Sequence, residues 1–332
     1  MKVLITGSEG FIGSHLTEAL VKAGHKVRCF VLYNSFNSYG WLSQCDKKIL
    51  DNCEIFFGDI RDFNRVKLAT KNIDSIIHLA ALIGIPYSYT SSESYVDTNI
   101  KGTLNLLNAA KDRNISKFIH TSTSEVYGSA QYIPMNENHP INSQSPYAAT
   151  KAAADNLAMS YFKSFKLPVT ILRPFNTYGP RQSMRAVIPT IISQTLFNSG
   201  KIMLGNTKAK RDYTFVKDTT NAFKLALNNK KCVGETLNIG NNFESSIYEI
   251  VKYVEKITGI KTKIISDRNR FRPSNSEVNR LKSCNKKIKK VLKWHPKLSD
   301  KKGFEDGLKQ TIDWVLANKK NFEKNKIKKY II

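Results

Sequence analysis

Along the first half of the chain, short unbroken runs of apolar residues alternate with longer stretches in which apolar residues return every three or four positions. Val3, Leu4 and Ile5 make the first such run. Glycines follow, and then Ile12, Leu16 and Leu20 line one side of a segment that stops at Gly24. A continuous apolar run suits a strand buried on both faces of a parallel sheet, and the three-to-four recurrence suits a helix lying on that sheet. Further strands are predicted at 27–32, 55–57, 76–79, 117–120 and 169–172, with helices over Asn99 to Lys111 and Tyr147 to Ser164. Repeated β-then-α order predicts an α/β protein with a doubly wound parallel sheet.

After Arg173 the texture changes. Loops rich in Pro, Asn and Gly appear, followed by a late helix from Gly303 to Asn318 that carries Phe304, Leu308, Ile312, Val315 and Leu316 at helical spacing. The predicted division is a sheet domain of residues 1–175 plus about 213–240. A smaller C-terminal lobe, 176–212 and about 241–318, then stands over the sheet's carboxyl edge, where such folds bind ligands. Residues 319–332 read as a frayed basic tail.

Composition narrows this picture only slightly. The 332 residues are 41% hydrophobic and 24% charged, ordinary for a globular chain. No stretch approaches the roughly 18–20 apolar residues of a membrane span, and the apolar run before Gly7 is too short for a secretory leader, so a cytoplasmic protein with no membrane partner is expected. The five cysteines are scattered, odd in number and form no C-x-x-C pair, which fits reduced thiols. With six isolated histidines, no metal is expected. The formal net charge is +25, and sixteen lysines fall between Lys282 and Lys329. They read either as a patch for nucleic acid or an anionic membrane, or as a solvated surface. Without interleaved aromatics to stack on bases the second reading is preferred, and no nucleic-acid partner is expected.

Gly7-Ser8-Glu9-Gly10-Phe11-Ile12-Gly13 forms a G-x-x-G-x-x-G turn between the first strand and the first helix. The first glycine permits the turn, the second lets a pyrophosphate approach the backbone, and the third lets helix and strand pack closely. The free N–H groups of the helix N-terminus, opened by Phe11 and Ile12, then face the phosphates. This predicts a Rossmann dinucleotide site. Asp59 and Ile60 would lie on its adenine side, Leu79, Ala80 and Ala81 would run beside the cofactor, and Asn99 is counted among its contacts. The second strand usually ends in an acid that binds the adenosine ribose of NAD. Here Phe30 to Ser35 contains none, and Arg28, Asn34 or Ser35 could receive a 2′-phosphate. NAD and NADP both remain open.

Tyr147 and Lys151 stand one turn apart on one helical face. A phenol is a poor base at neutral pH, and a neighbouring ammonium with a cationic nicotinamide ring should lower its pKa. Glu125, just past the fifth strand, is a carboxylate placed where a second proton transfer could occur.

At these residues the chain resembles the extended short-chain dehydrogenases/reductases of the NAD-dependent epimerase/dehydratase family. It is similar in particular to the nucleotide-sugar 4,6-dehydratases of the legionaminic acid pathway, which act on a nucleotide-linked N-acetylglucosamine. The strings that carry this are Ala81–Tyr89, Tyr95–Asn99, Thr121–Gly128 and Arg173–Gln182. The resemblance implies that Thr123 holds the sugar O4 beside Tyr147 and that Lys151 binds the nicotinamide ribose. It further implies that Glu125 removes the C5 proton once C4 is a ketone, and that Asn176, Arg181, Arg211 and Arg272 bind the nucleotide-diphospho-sugar. It implies a tightly bound, recycled cofactor, and a homodimer through a four-helix interface of the 99–111 and 147–164 helices. Ser124 departs from the Thr-Asp-Glu triplet of glucose-type dehydratases, in which the Asp protonates the leaving hydroxyl; mannose-type relatives share Thr-Ser-Glu. Rival readings are a nucleotide-glucuronate decarboxylase, whose relatives share Ser-Thr-Ser-Glu-Val-Tyr-Gly, a C4 epimerase, and a cofactor-sensing regulatory protein without chemistry.

Overall fold

The computed structural model describes residues 1–323. Its strands are β1 (Lys2–Thr6), β2 (Lys26–Leu32), β3 (Cys53–Gly58), β4 (Ser75–His78), β5 (Lys117–Thr121), β6 (Val169–Pro174), β7 (Asn176–Tyr178), β8 (Lys201–Leu204), β9 (Lys210–Phe215), β10 (Thr236–Ile239), β11 (Glu244–Ser246) and β12 (Lys263–Ser266). Seven of them form one parallel sheet in the order β3-β2-β1-β4-β5-β6-β10. The order reverses at β1, so a crevice opens beyond the carboxyl ends of β1 and β4, as the doubly wound fold requires. The strand ends there are joined by Thr6 Oγ1 and His78 Nδ1, 2.8 Å apart.

Both faces of the sheet are covered, which is why its strands read as unbroken apolar runs. On one face lie the helices Phe11–Lys22, Val216–Asn228 and Lys286–Leu292, contributing Leu16, Leu20, Phe223, Ile288 and Leu292 to a buried cluster. On the other lie Phe63–Ala69, Gly102–Asp112 and Pro146–Phe165, with Val66, Leu106, Leu107 and Ala158. Strand β10 is the one member of the sheet that the apolar pattern does not announce. Its run is broken by Asn238, which is fully buried and satisfied instead by the Tyr127 hydroxyl at 2.8 Å and the Met135 carbonyl at 3.2 Å.

The smaller lobe combines a β11-β9-β7 sheet with a β12-β8 pair and the helices Val187–Phe197, Ile247–Thr258 and Asp300–Ala317. Its core centres on Phe304, whose ring meets those of Tyr178, Tyr213, Phe243 and Tyr253 at 5.1–5.7 Å. Segment 286–294, expected in this lobe, packs on the sheet domain. Ile288, Leu292 and Trp294 enter its cluster, and the Trp294 indole donates to the Asp218 carbonyl at 3.0 Å. The expected helix over 99–111 is also modified, because Val96–Lys101 is a π-helical turn leading into it. The tail does not begin at 319. Lys319–Glu323 is helical and Phe322 packs edge-on to Trp314 at 5.6 Å, while the rest of the expected frayed segment lies outside the described residues.

Among the described residues no helix is long and apolar enough to cross a membrane. No group of three or more His, Cys, Asp or Glu there could hold a metal ion. All five cysteines are free thiols.

Because Phe304 sits where five aromatic rings meet, Phe304→Ala should lower the unfolding free energy by about 3–5 kcal/mol, read by urea denaturation. A loss below about 1 kcal/mol would show that the lobe's core collapses around the gap.

Candidate active site

The glycine turn is shaped by close approach. A Cβ on Gly7 would stand 2.8 Å from the Ala80 amide nitrogen, and one on Gly13 would stand 2.1 Å from the Gly7 carbonyl. Gly10 differs. Its Cβ would meet only the Gly7 carbonyl at 3.2 Å, so the rest of its space is open cleft. No side chain caps the helix that starts at Phe11, and its first turn holds no acid, which leaves its N–H groups to an anion. These features fit the pyrophosphate of a dinucleotide. At the crevice wall the Ala80 amide donates to Thr6 Oγ1 at 3.2 Å, which fixes the path of Leu79 to Ala81 along the cofactor side.

Five of the residues expected to touch the cofactor or substrate are held by contacts within the protein. Asn99 is buried and fully spent. Its Oδ1 accepts from the Leu82 amide at 2.9 Å, and its Nδ2 donates to the Leu82 carbonyl at 3.0 Å and to Thr150 Oγ1 at 3.1 Å. It therefore clips the segment after β4 to the helix bearing Tyr147, and it acts by positioning. The Asp59 carboxylate is bound by the Arg61 side chain, which holds it below the ordinary carboxylate range, while Ile60 is buried beside Gly102. Asn34 knots its own loop, accepting from the Phe36 and Ser38 amides and donating to the Leu32 and Ser38 carbonyls. The Arg181 guanidinium donates to Glu18 Oε1 at 2.9 Å and reaches the Gln44 carbonyl at 3.4 Å. It pins the loop after β7 to the glycine-turn helix rather than facing the cleft. A linear string cannot show this, since the partner lies 163 residues away.

The helix Pro146–Phe165 is started by Ser145, whose side chain accepts from the Ala148 amide, with proline in its first turn. Tyr147, Lys151 and Asp155 follow one turn apart, all buried. Asp155 was not singled out from the sequence, although it is simply the next step of the Tyr147–Lys151 column. Its Oδ2 accepts from Ser122 Oγ at 2.6 Å and from Arg173 Nη2 at 2.7 Å, and its Oδ1 lies 3.2 Å from His120 Nε2. Burial pushes this carboxyl up, but Arg173, His120 and Ser122 together hold it well below the usual range. Burial, with the Lys151 ammonium, drops His120 to about 4, so the imidazole is neutral at neutral pH.

Lys151 is lowered by burial to about 8, with Asp155 pulling the other way. The acidification expected of Tyr147 beside an ammonium and a cationic nicotinamide ring is opposed by enclosure. Burial raises the phenol above its ordinary value, the Thr123 hydroxyl draws it back, and the Glu125 carboxylate pushes it higher. The reason is that tyrosine and lysine are both removed from water, and desolvation opposes each charged form. These influences also bring Thr123 and Glu125 close to Tyr147.

Thr123 caps the single turn Ser124–Tyr127 by accepting from the Glu125 amide at 3.2 Å, which buries Ser124 and Glu125. Two arginines of the smaller lobe converge on Glu125. Arg211 Nε lies 3.9 Å from Oε1, and Arg272 Nη1 lies 3.6 Å from Oε2. Arg211 also lies 3.6 Å from Glu277, an acid that sequence reading missed. Asn176 opens β7 and is paired in register with Tyr213, two positions past Arg211 on β9. The segment carrying Arg272 and Glu277 is tied across the cleft by Ser276, whose hydroxyl lies 2.6 Å from Tyr89 Oη and donates to the Gln144 carbonyl at 2.5 Å.

Comparison with known proteins agrees with this arrangement. The profile of the family described as GDP-mannose 4,6 dehydratase matches residues 4–311. A dTDP-D-glucose 4,6-dehydratase of Homo sapiens is 34% identical over 97% of this chain and 92% of its own. A UDP-N-acetyl-alpha-D-glucosaminuronate decarboxylase of Bacillus cytotoxicus is 34% identical over 94% of this chain and 97% of its own. Among solved structures, the UDP-glucuronic acid 4-epimerase of Bacillus cereus, in complex with UDP-glucuronic acid and NAD, superposes with a TM-score of 0.85 at 30% identity. That match covers 96% of this chain and all of the epimerase. With its glycine turn, Tyr147–Lys151 pair and parallel sheet, the chain belongs to the GDP-mannose 4,6-dehydratase family of extended short-chain dehydrogenases/reductases, NAD-dependent enzymes of nucleotide-sugar chemistry.

Proposed function

We propose that this chain is a nucleotide-sugar 4,6-dehydratase whose substrate is a nucleotide-diphospho-N-acetylglucosamine. The observation that carries the reaction is Glu125, a buried carboxylate sharing one cleft with Tyr147 and Thr123. An epimerase needs one acid–base group at C4, whereas a dehydratase needs a second to act at C5. The N-acetylglucosamine part rests on the resemblance of the Ala81–Tyr89 and Arg173–Gln182 strings.

Bound NAD supplies the transient oxidation at C4 and its reversal at C6. Tyr147, as phenolate, takes the proton of the C4 hydroxyl, with Thr123 holding that oxygen in place; the Lys151 ammonium and the cationic nicotinamide ring of bound NAD would supply the positive charge that offsets the burial of that phenolate. Lys151 stays protonated through its attraction to Asp155 and orients the nicotinamide ribose. Glu125 removes the C5 proton, which a C4 ketone has made acidic, and hydroxide leaves C6 with a proton to form water; as the hydride is returned to C6 a proton from solvent is delivered to C5, which leaves the 4-keto-6-deoxy sugar. Ser124 is a weak acid, so the proton for the leaving hydroxyl is assigned to Glu125, directly or through the Ser124 hydroxyl. Arg211 and Arg272 meet the diphosphate, where a guanidinium supplies both charge and orientation. The Gly102–Asp112 and Pro146–Phe165 helices lie side by side, and Tyr161 donates to Asn108 Oδ1 at 2.5 Å. On that face we place a homodimer, testable by sedimentation.

One observation favours a second reading. Two guanidiniums within 4 Å of Glu125 are also what a C6 carboxylate would need, and this would make the chain a nucleotide-glucuronate decarboxylase. Incubation with a panel of nucleotide sugars and mass analysis separates the readings. A product lighter by one water supports dehydration, loss of carbon dioxide from a glucuronate substrate supports the rival, and an unchanged mass with altered configuration at C4 would overturn both.

Glu125→Gln should slow water loss by about 10²–10⁴-fold while C4 oxidation, read as a single-turnover rise in reduced nicotinamide absorbance, persists. Full dehydration by this variant would discard the assignment. Asp155→Asn should destabilise the fold by about 3–5 kcal/mol, because it leaves Arg173 buried without its counter-charge. Since Asp155 holds up the lysine pKa, the variant should also move the alkaline limb of kcat/KM, set by Lys151 at about 8, toward lower pH. A stability loss with an unmoved limb would reduce Asp155 to a structural role.

A further inference from the structure

Strand β2 runs out at Leu32 without an acid, at the place about 20 residues beyond the glycine turn where a dinucleotide-binding sheet presents a carboxylate to the adenosine ribose. A carboxylate is nevertheless there. Glu9, inside the glycine turn and immediately before Gly10, sends its side chain across to the end of β2, where Oε1 accepts from the Leu32 amide at 3.0 Å. Its other oxygen, Oε2, is buried and has no hydrogen-bond partner. A buried carboxylate oxygen is costly to leave unpaired, and such groups in native proteins call for a donor.

The neighbouring loop is built around this residue. The Trp41 amide donates to the Glu9 carbonyl at 2.9 Å. Gly40, at φ +54, comes so close that a Cβ there would stand 2.8 Å from that carbonyl oxygen and 3.1 Å from Glu9 Cβ. Of the residues that could have held a 2′-phosphate, Arg28 and Asn34 are engaged elsewhere. Arg28 donates to the Ala69 and Lys71 carbonyls at 2.6 and 2.9 Å and pairs with Glu54 at 2.9 Å, and Asn34 is spent on its own loop.

We propose that Glu9 recognises the adenosine ribose of NAD and excludes NADP, doing from the glycine turn what an acid at the end of β2 does elsewhere. The 2′,3′-diol offers two O–H donors to the free oxygen of Glu9. A 2′-phosphate offers none and repels the carboxylate. Burial holds the Glu9 carboxyl above its ordinary range, with the Leu32 amide and the amide of Glu9 itself opposing. Donation from the diol favours the ionised form, so NAD affinity should rise with pH through this titration.

The inference rests on dinucleotide binding at the glycine turn and on nothing about the sugar reaction, so it is tested by binding alone. Nucleotide-depleted protein is titrated calorimetrically with NAD and, separately, with NADP. The unaltered chain should bind NAD at least about tenfold more tightly than NADP, as loss of a charge-assisted hydrogen bond predicts. Glu9→Ala and the isosteric Glu9→Gln should each shrink that ratio about tenfold, with thermal melts showing both folded. Glu9→Gln fills the same space and carries the test if Glu9→Ala fails to fold. An unaltered ratio in the variants, or tighter NADP binding by the unaltered chain, overturns the proposal. A chain that binds NAD selectively yet dehydrates no sugar would leave it standing while sinking the proposed reaction.

Discussion

The cleft depends on one buried carboxylate. Asp155 receives Arg173 from the end of β6, Ser122 from just past β5 and contact from His120 on β5, while standing on the helix that carries Tyr147 and Lys151. Removing these charges from water would be prohibitive singly, and breaking such a pair is strongly destabilising because the survivor stays buried. Their mutual satisfaction fixes the height and rotation of the helix against the sheet, and so sets where the phenol and the ammonium point. Asn99 does the complementary work at the other side of the same helix, holding Thr150 to the segment after β4. Tyr147 and Lys151 are thus braced from the ends of β5 and β6 on one side and from the segment after β4 on the other.

Enclosure explains why the unaided residues are not poised for chemistry in the simple way the Tyr-x-x-x-Lys spacing implies. Desolvation raises the Tyr147 phenol and lowers Lys151, moving both toward their neutral forms. What keeps Lys151 usefully charged near neutral pH is Asp155, a full turn farther along. A third member of the column thus sets the charge of the second, and its own low pKa is secured by partners outside the helix.

Much of this was legible in the sequence and some of it could not be. The parallel sheet was readable because burial on both faces leaves unbroken apolar runs, and β10 escaped because Asn238 interrupts its run with a polar group satisfied by Tyr127 and Met135. Thr123, Glu125, Tyr147 and Lys151 lie in short strings whose spacing is meaningful along the chain. Asp155 was within reach of the same reasoning, one more helical turn away. Glu277, and the capture of Arg181 by Glu18, were not, because they depend on contacts between segments far apart along the chain, 163 residues for the Arg181 pair. Segment 286–294 illustrates the same limit: its lysines look like surface, but Ile288, Leu292 and Trp294 decide where it packs.

The net charge of +25 gives little account of the site. In the cleft, charges are matched at short range, with Asp155 against Arg173 and with Glu125 and Glu277 against Arg211 and Arg272. Such local balance matters more than the surplus, since exposed charges beyond about 8–10 Å are screened at physiological salt while buried ones are not. In the proposed reaction the substrate's diphosphate meets the two guanidiniums that now face Glu125, so the charge balance of the cleft is set by the ligand as well as by the protein.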